Sequence, residues 1–422
     1  LDEKATGSLM QNEASELQNA EKIRAAVVKV SETERRQFAP EISKVQILNE
    51  SGLLLDFPAH IMTGAAGNFS QVLADCMEPP QHFFFMSYLA CLGAICANKN
   101  TLKTELRPQP RLYVVILGES ADDRKSTAIS KTVDFFKNTV SEFHTCFGVG
   151  SAEGLQKRFL KDSIILLVFD ELKAFVGKAS VDGSVLLPCV CSLFESTCYE
   201  SHTKNQEIIL SSAYLSILAA STSATYERCW NSAFQDIGMT NRLFIVPGAG
   251  RRQYAIPSQV PSCEWDRMKR DLGKILRSTS ETPEFDFTPG ARQLYESWYL
   301  SLDQSIHTKR LDTYALRFMI LLVINSSKNI VDEKIAQDVI DLMNWQLQAR
   351  RLFDPIDADS AIAKIEEKLR RVLATGPRSD RDLKRALHYN RVGTWVFSNA
   401  VQNLTRSGEI YFNKTAKFWG LR

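Results

Sequence analysis

Short apolar runs alternate with longer amphipathic stretches between about residues 110 and 250. Leu112 to Leu117 is a continuous run rich in β-branched residues, closed by Gly118, and reads as a buried strand. Similar runs recur at Thr145 to Val149, within 163 to 172 (SIILLVFDEL), at Tyr214 to Ala220 and at Leu243 to Val246. Helix-period sequence separates them, including Ser126 to Phe143 and a helix that starts at Ser151-Ala152-Glu153-Gly154. Strands alternating with helices predict a parallel sheet covered on both faces, an α/β core.

The flanks follow other patterns. Residues 1 to about 45 are polar and charged, with a helix expected over Glu13 to Val30. Two helices are expected between Phe57-Pro58 and Ala97, parted by Glu78-Pro79-Pro80, and the second is apolar on nearly every side. A helix that apolar is buried, so a helical layer should pack on the sheet. Thr101 to Leu106 reads as a short strand. Residues 251 to 285 are looser, and helices over Phe287 to Leu302 and Asp312 to Phe353 form a lid.

From about Ser360 the pattern changes again. A charged helix (Ile362 to Ala374) ends at Thr375-Gly376-Pro377, Ser379 caps a short helix (Asp380 to Ala386), and Arg391-Val392-Gly393-Thr394 leads into a longer helix that ends near Ser407-Gly408. Glu409 to Trp419 then reads as a two-stranded wing, which makes the whole a winged-helix pattern. Arg378, Arg381, Lys384, Arg385, Arg391, Arg406, Lys414 and Lys417 concentrate in it. DNA contact is expected there, with Arg391 and Lys414 as contact residues; winged helices also dock proteins. The expected domains are a polar helical arm (1–50), an N-terminal helical layer (51–110), a P-loop ATPase core (111–250), a helical lid (251–358) and the winged helix (359–422).

Composition narrows the options. With 51 Lys and Arg against 49 Asp and Glu, the chain has no global basic field, so nucleic acid must be met by local patches. Nine cysteines, among them Cys76, Cys91, Cys96, Cys189 and Cys191, sit mostly in apolar runs with no CxxC, as buried thiols of a reducing cytoplasm would. The six histidines form no metal motif. Phe83 to Ala97 is too short to span a bilayer with comfort, so no membrane is expected. The chain opens at Leu1 without a signal-peptide pattern, and further sequence upstream is expected.

The candidate chemistry lies where strands end. After Leu117, a polar loop runs from Gly118 into Arg124-Lys125-Ser126-Thr127 at the head of a helix, the layout of a P-loop. Lys125 and the helix N-terminal N–H groups would face phosphates, and the Ser126 hydroxyl, or that of Thr127, would hold Mg²⁺. Lys125 follows Gly118 by seven residues where six is usual, and Glu119 and Arg124 stand in place of the two glycines. Asp170-Glu171 closes the next apolar run but one; Asp170 would position Mg²⁺ and Glu171 the attacking water. Tyr214 to Ala220 ends in Ser221-Thr222-Ser223, from which Thr222 would meet the γ-phosphate or the water, cap a helix, or do both. Arg242, just before Leu243 to Val246, is placed as a finger toward a neighbouring subunit.

Two further positions complete the set. Residues 198 to 203 and 207 to 210 flank Lys204-Asn205-Gln206 as a hairpin, with Lys204 at its tip to track DNA phosphates. Arg310 and Arg317 lie two turns apart on a lid helix, and Arg317 is the one expected to reach back to the nucleotide.

Six strings together resemble a poorly characterised family of P-loop ATPases carried by phages, plasmids and mobile elements: FPAHIM (57–62), LYVVILGESADDRKSTA (112–128), GSAEGL (150–155), LLVFDE (166–171), YLSILAAST (214–222) and TNRLFIVP (240–247). The likeness covers roughly residues 55 to 350, and a winged-helix tail agrees with it. Such proteins often lie beside primase-like domains and are similar to hexameric AAA+ helicases of the minichromosome-maintenance and viral superfamily III type. The resemblance implies an AAA+-like α/β fold and ATP-driven DNA unwinding or translocation by a homo-oligomeric ring, a hexamer, with a primase or polymerase as partner. It also implies Lys125 and Ser126 (or Thr127) at phosphate and Mg²⁺, Asp170 at Mg²⁺, Glu171 as base and Arg242 as finger, and it tolerates a glycine-poor Arg-Lys loop. The competing expectation is a non-motor DNA-binding initiator, loader or defence scaffold with a degenerate nucleotide site. The joint presence of Asp170, Glu171 and Arg242 argues against it.

Overall fold

Gly64–Cys76 (α1) and Gln81–Cys96 (α2) form an antiparallel pair, entered through a turn of 3-10 helix at Ala59–Ile61. Phe83, Phe84 and Phe85 are all fully buried. Three consecutive residues point to different sides of a helix, so α2 must be covered all round. It is: α1 and α3 (Lys125–Lys137) pack on it, as do sheet strands β2 (Tyr113–Leu117) and β7 (Tyr214–Ser221). Burial of this kind contributes about 2–3 kcal/mol for each phenylalanine. The contact is close enough that a Cβ on Gly93 would lie 2.1 Å from the Pro110 carbonyl oxygen.

This computed structural model describes residues 55–119, 123–202, 207–230, 234, 236–250, 252–356, 360–387 and 389–422. The expected polar arm and the hairpin tip at Lys204 lie outside them. The described residues belong to one compact unit. Among them, no helix is long and apolar enough to cross a membrane.

The central sheet has five strands in the order β3-β4-β7-β2-β8, with β3 at Thr145–Phe147, β4 at Ile164–Phe169 and β8 at Phe244–Pro247. Every pairing in it is parallel, with Leu117 opposite both Ser221 and Pro247, and Phe169 opposite Ala219. Parallel register brings the strand ends to common edges. Gly118, Asp170 and Ser221 therefore share the C-terminal edge, while Arg111, Tyr214 and Leu243 share the other.

Outside the sheet, β5 (Tyr199–His202) and β6 (Glu207–Leu210) pair antiparallel, Tyr199 opposite Leu210. Ile208 and Leu210 are buried while Ile209 is exposed. Thr101–Leu102 (β1) joins Glu284–Phe287 (β9) and Ile330–Val331 (β10) in a small parallel sheet. This sheet joins strands from the ranges expected for the N-terminal layer and for the lid. The break at β10 also divides the helix expected over Asp312 to Phe353 into Leu311–Asn325 and Glu333–Phe353. The Asn325 side chain fastens the first of these to α1, donating to the Thr63 carbonyl (2.8 Å) and accepting from the Ala66 N–H (2.7 Å).

The tail has its own apolar core, built on Ile365, Leu369, Leu383, Phe397 and Leu404. Its helices are Ala361–Ala374, Asp380–Ala386, Tyr389–Val392 and Thr394–Arg406, and a three-stranded antiparallel sheet runs β11 (Arg378–Ser379), β13 (Phe418–Leu421), β12 (Ile410–Asn413). Arg371 donates to the Asp354 carbonyl (2.6 Å), and Lys368 pairs with Glu227 of the main body.

Candidate functional site

Gly118 follows β2, and a Cβ there would lie 2.5 Å from the Asp123 carboxylate, which would have to shift. Arg124, the N-cap of α3, adopts the left-handed conformation (φ 48°, ψ 33°), the conformation a glycine would supply in the usual motif. A left-handed residue followed by helical ones turns successive N–H groups to one side and makes an anion nest. Among the described residues, the N–H groups of Arg124, Lys125, Ser126 and Thr127 make no hydrogen bond, and the first satisfied one is that of Ala128, which donates to the Arg124 carbonyl (3.1 Å).

Lys125 is buried and its Nζ donates to the carbonyls of Gly118 (3.0 Å) and Glu119 (2.7 Å). Burial pulls its ammonium below the ordinary lysine value, and the charges of Asp123, Glu119 and Glu171 oppose that pull. Glu171 is thus an electrostatic neighbour of Lys125, although the two lie far apart in the sequence. Its Oε1 accepts from the Ser221 hydroxyl at the tip of β7 (2.8 Å). Lys125, Ser221 and Glu171 therefore follow one another along the sheet edge, on or beside β2, β7 and β4.

Thr222 does not join them. Its hydroxyl accepts from the Thr225 N–H (3.1 Å) and capped helix Ser223–Arg228 follows, so of the two expected roles the side chain performs the cap. Ser221 takes the position expected for Thr222. Strand alternation was the available signal, since it aims neighbouring residues to opposite sides.

Arg317 requires a plain correction. It lies at the other edge of the sheet, 4% exposed, with Nη1 on the Arg111 carbonyl (2.7 Å) and Nη2 on the Phe194 carbonyl (2.6 Å). Its guanidinium stacks on the Phe194 ring at 4.0 Å, and burial lowers its pKa to about 10. The Phe194 carbonyl lies in the last turn of Leu186–Glu195, where carbonyls have no intrahelical donor. We expect Arg317→Met to destabilise the fold by about 3 kcal/mol with unchanged ATP affinity in the folded fraction, read by denaturant titration and calorimetry. A weakened ATP affinity at unaltered stability would restore the nucleotide role.

Arg242 also sits at that edge, on the turn Thr240–Arg242 before β8, with Nη1 on the carbonyls of Ile237 (2.7 Å) and Gly238 (3.0 Å). A strand length, roughly 15 Å, separates it from Lys125 of the same chain. Its own carbonyl accepts from the Tyr314 hydroxyl (2.6 Å), and the fully buried Arg350 grips the carbonyls on either side, Asn241 (2.9 Å) and Leu243 (3.2 Å). Neither Tyr314 nor Arg350 is marked by any motif in the sequence.

Beside α3 opens a cavity of about 930 Å³, lined by Met77, Glu78, Arg124, Thr127, Tyr254 and Trp265 among others. That volume suits a small organic ligand, and two aromatic rings in its wall suit a flat one. For Mg²⁺ the donors also fit: Ser126 and Asp170 are both exposed. Mg²⁺ at a phosphate site keeps most of its waters and takes few protein oxygens. The absence of a group of three or more His, Cys, Asp or Glu among the described residues is compatible with that. The sequence cysteines Cys189 and Cys191 are buried and unpaired, and burial pushes the Cys189 thiol up to about 11.

In the tail, residues 360–422 hold thirteen Lys and Arg against five Asp and Glu. Each acid has a partner: Glu366 with Asn403, Glu367 with Arg371, Asp380 with Lys384, Asp382 with Ser379 and Glu409 with Arg370. Among the described residues, no ion pair holds Arg381, Arg385, Arg406, Lys414 or Lys417. Lys414 is exposed near the turn between β12 and β13; Arg391 lies in Tyr389–Val392.

No protein-family model matches the chain, and no curated protein matches it.

Proposed function

We propose that this chain is an ATP-hydrolysing DNA helicase or translocase with an AAA+-like core, of the kind carried by mobile genetic elements, acting in the cytoplasm as a homo-oligomeric ring, a hexamer, beside a primase or polymerase. One observation carries the reading: the sequence of groups along the sheet edge. The open nest and Lys125 follow β2, Ser221 ends the adjoining β7, and Glu171 follows β4 beyond it. A phosphoryl chain bound at the nest would put its terminal group toward Glu171, which accepts the proton of the attacking water. Ser221 orients that carboxylate.

The residues divide the remaining work. Mg²⁺, when bound, would neutralise charge on the β- and γ-phosphates, held by Ser126 and Asp170. Purine and ribose fit the cavity walled by Tyr254 and Trp265. Arg242 cannot serve its own chain's site, so its chemistry requires a neighbouring subunit, which is the argument for a ring. The tail, read as a winged helix, offers DNA a basic surface whose carboxylates are already engaged; Lys414, Arg391 and their neighbours supply phosphate contacts. In this reading Lys204 of the hairpin meets the strand in the channel.

A second reading keeps one observation of its own. Lys125 is engaged by the loop's own carbonyls, as suits a non-motor initiator, loader or defence scaffold with a degenerate nucleotide site. The two part in one assay. A motor turns over MgATP several-fold faster with single-stranded DNA and runs as a ring on size exclusion with nucleotide. DNA binding without turnover leaves the scaffold.

A further inference from the structure

Between Gly118 and Lys125 the sequence has no glycine. Asp123 is 3% exposed. Its Oδ2 accepts from the Glu119 N–H at the start of the loop, and its Oδ1 from the Gly250 N–H just after β8. The carboxylate fills the space next to Gly118 where a Cβ would go. It does not sit in the anion nest, because the N–H groups of Arg124 to Thr127 remain without a partner among the described residues.

Glu78, from the turn between α1 and α2, makes a matching contact outside the loop. It accepts from Arg124 Nε (3.0 Å) and from the Gln253 N–H (3.3 Å). The hydrogen bond from Arg124 is the main cause holding the Glu78 carboxyl below its usual range. Two carboxylates thus hold the head of α3: Asp123 binds the Gly250 N–H, and Glu78 joins the Arg124 side chain to the Gln253 N–H.

We propose that Asp123 is the positioning residue of this site: it takes over the shape-keeping task of the missing glycines by tying the start of the loop to Gly250, so that the nest stays open for a nucleoside triphosphate. Glu78 plays the outer part by holding Arg124 in its left-handed conformation. This rests on the nucleotide reading given above. A carboxylate that accepts two backbone N–H groups is a strong, directional brace. Loss of it unties Glu119 from Gly250 and costs the nest its alignment before any phosphate arrives. The consequence is expected on nucleotide binding, since both bonds of the Asp123 carboxylate go to backbone N–H groups that flank the nest.

The test is MgATP binding by isothermal calorimetry, with KM and kcat for turnover, on the wild type, Asp123→Ala, Asp123→Asn and Glu78→Gln, with Lys125→Ala as reference. Asp123→Ala should weaken binding and raise KM roughly ten- to hundredfold, with the loss in KM rather than kcat. Asp123→Asn keeps one acceptor and should fall between it and the wild type; Glu78→Gln should shift KM in the same direction. Should Asp123→Ala not fold, the asparagine variant carries the comparison. Wild-type affinity in Asp123→Ala and Asp123→Asn overturns the brace while the nucleotide reading stands. Tighter binding in Asp123→Ala overturns it too, by making the carboxylate a competitor for the nest. No ATP binding by the wild type removes both.

Discussion

Lys125→Ala should lower DNA-stimulated ATP turnover by about two to three orders of magnitude, together with a loss of ATP binding. Two features give the side chain this weight. Its ammonium is buried, and burial has already lowered its pKa, so it meets phosphate with little hydration left to shed. It is also anchored on loop carbonyls at 3.0 and 2.7 Å, contacts a phosphate oxygen can replace without moving the helix. Alanine removes the charge together with the two hydrogen bonds to the loop carbonyls, so some loosening of the loop is expected as well. Calorimetry and a phosphate-release assay read both effects. Undiminished ATP binding by this variant would move the nucleotide away from α3, and the proposed function would go with it.

Glu171→Gln should separate binding from chemistry. Glutamine keeps the size and still accepts from the Ser221 hydroxyl at 2.8 Å, so the sheet edge keeps its geometry. It cannot take a proton. Turnover should fall about 10²- to 10⁴-fold while ATP affinity stays within a few-fold of the wild type. Because hydrolysis no longer empties the sites, the ATP-bound ring should outlast that of the wild type on size exclusion. If turnover continues at the wild-type rate, Glu171 is a structural acid and Asp170 becomes the next residue to replace.

The core could be read from sequence because each of its signals is local. Leu112 to Leu117, LLVFDE and YLSILAAST declare buried strands by composition alone, and the residues that close them fall on one edge once the strands are parallel. Lys125, Asp170 and Glu171 were legible in that way. What failed depends on contacts between distant segments or on the aim of a single side chain. Arg317 lies on a helix that any helical wheel would allow to face the nucleotide, yet the carbonyls that claim it belong to Arg111 and Phe194. Thr222 and Ser221 are equally good on paper, and strand alternation chose between them. Asp123 read as one more polar loop residue because its second partner, Gly250, lies on the far side of β8. Of the small sheet only β1 showed in the sequence, within Thr101 to Leu106; its pairing with β9 and β10 had no signature, two of the three strands being two residues long.

That small sheet has a bearing on how the chain comes to be made. Thr101 pairs with Glu284 and Phe287 with Val331, so the edge of the N-terminal layer is completed only by segments synthesised much later. At ordinary elongation rates the interval is roughly ten to forty-five seconds. Throughout it, α1 and α2 have been translated without Asn325 to bind Thr63, and without β2 and β7 for the early part, leaving Phe83, Phe84 and Phe85 in search of cover. Contacts of such long sequence separation also slow refolding from denaturant. We expect the nascent protein to engage chaperones on the ribosome, so that its soluble yield in a foreign host rises when they are co-expressed; an unchanged yield would overturn this.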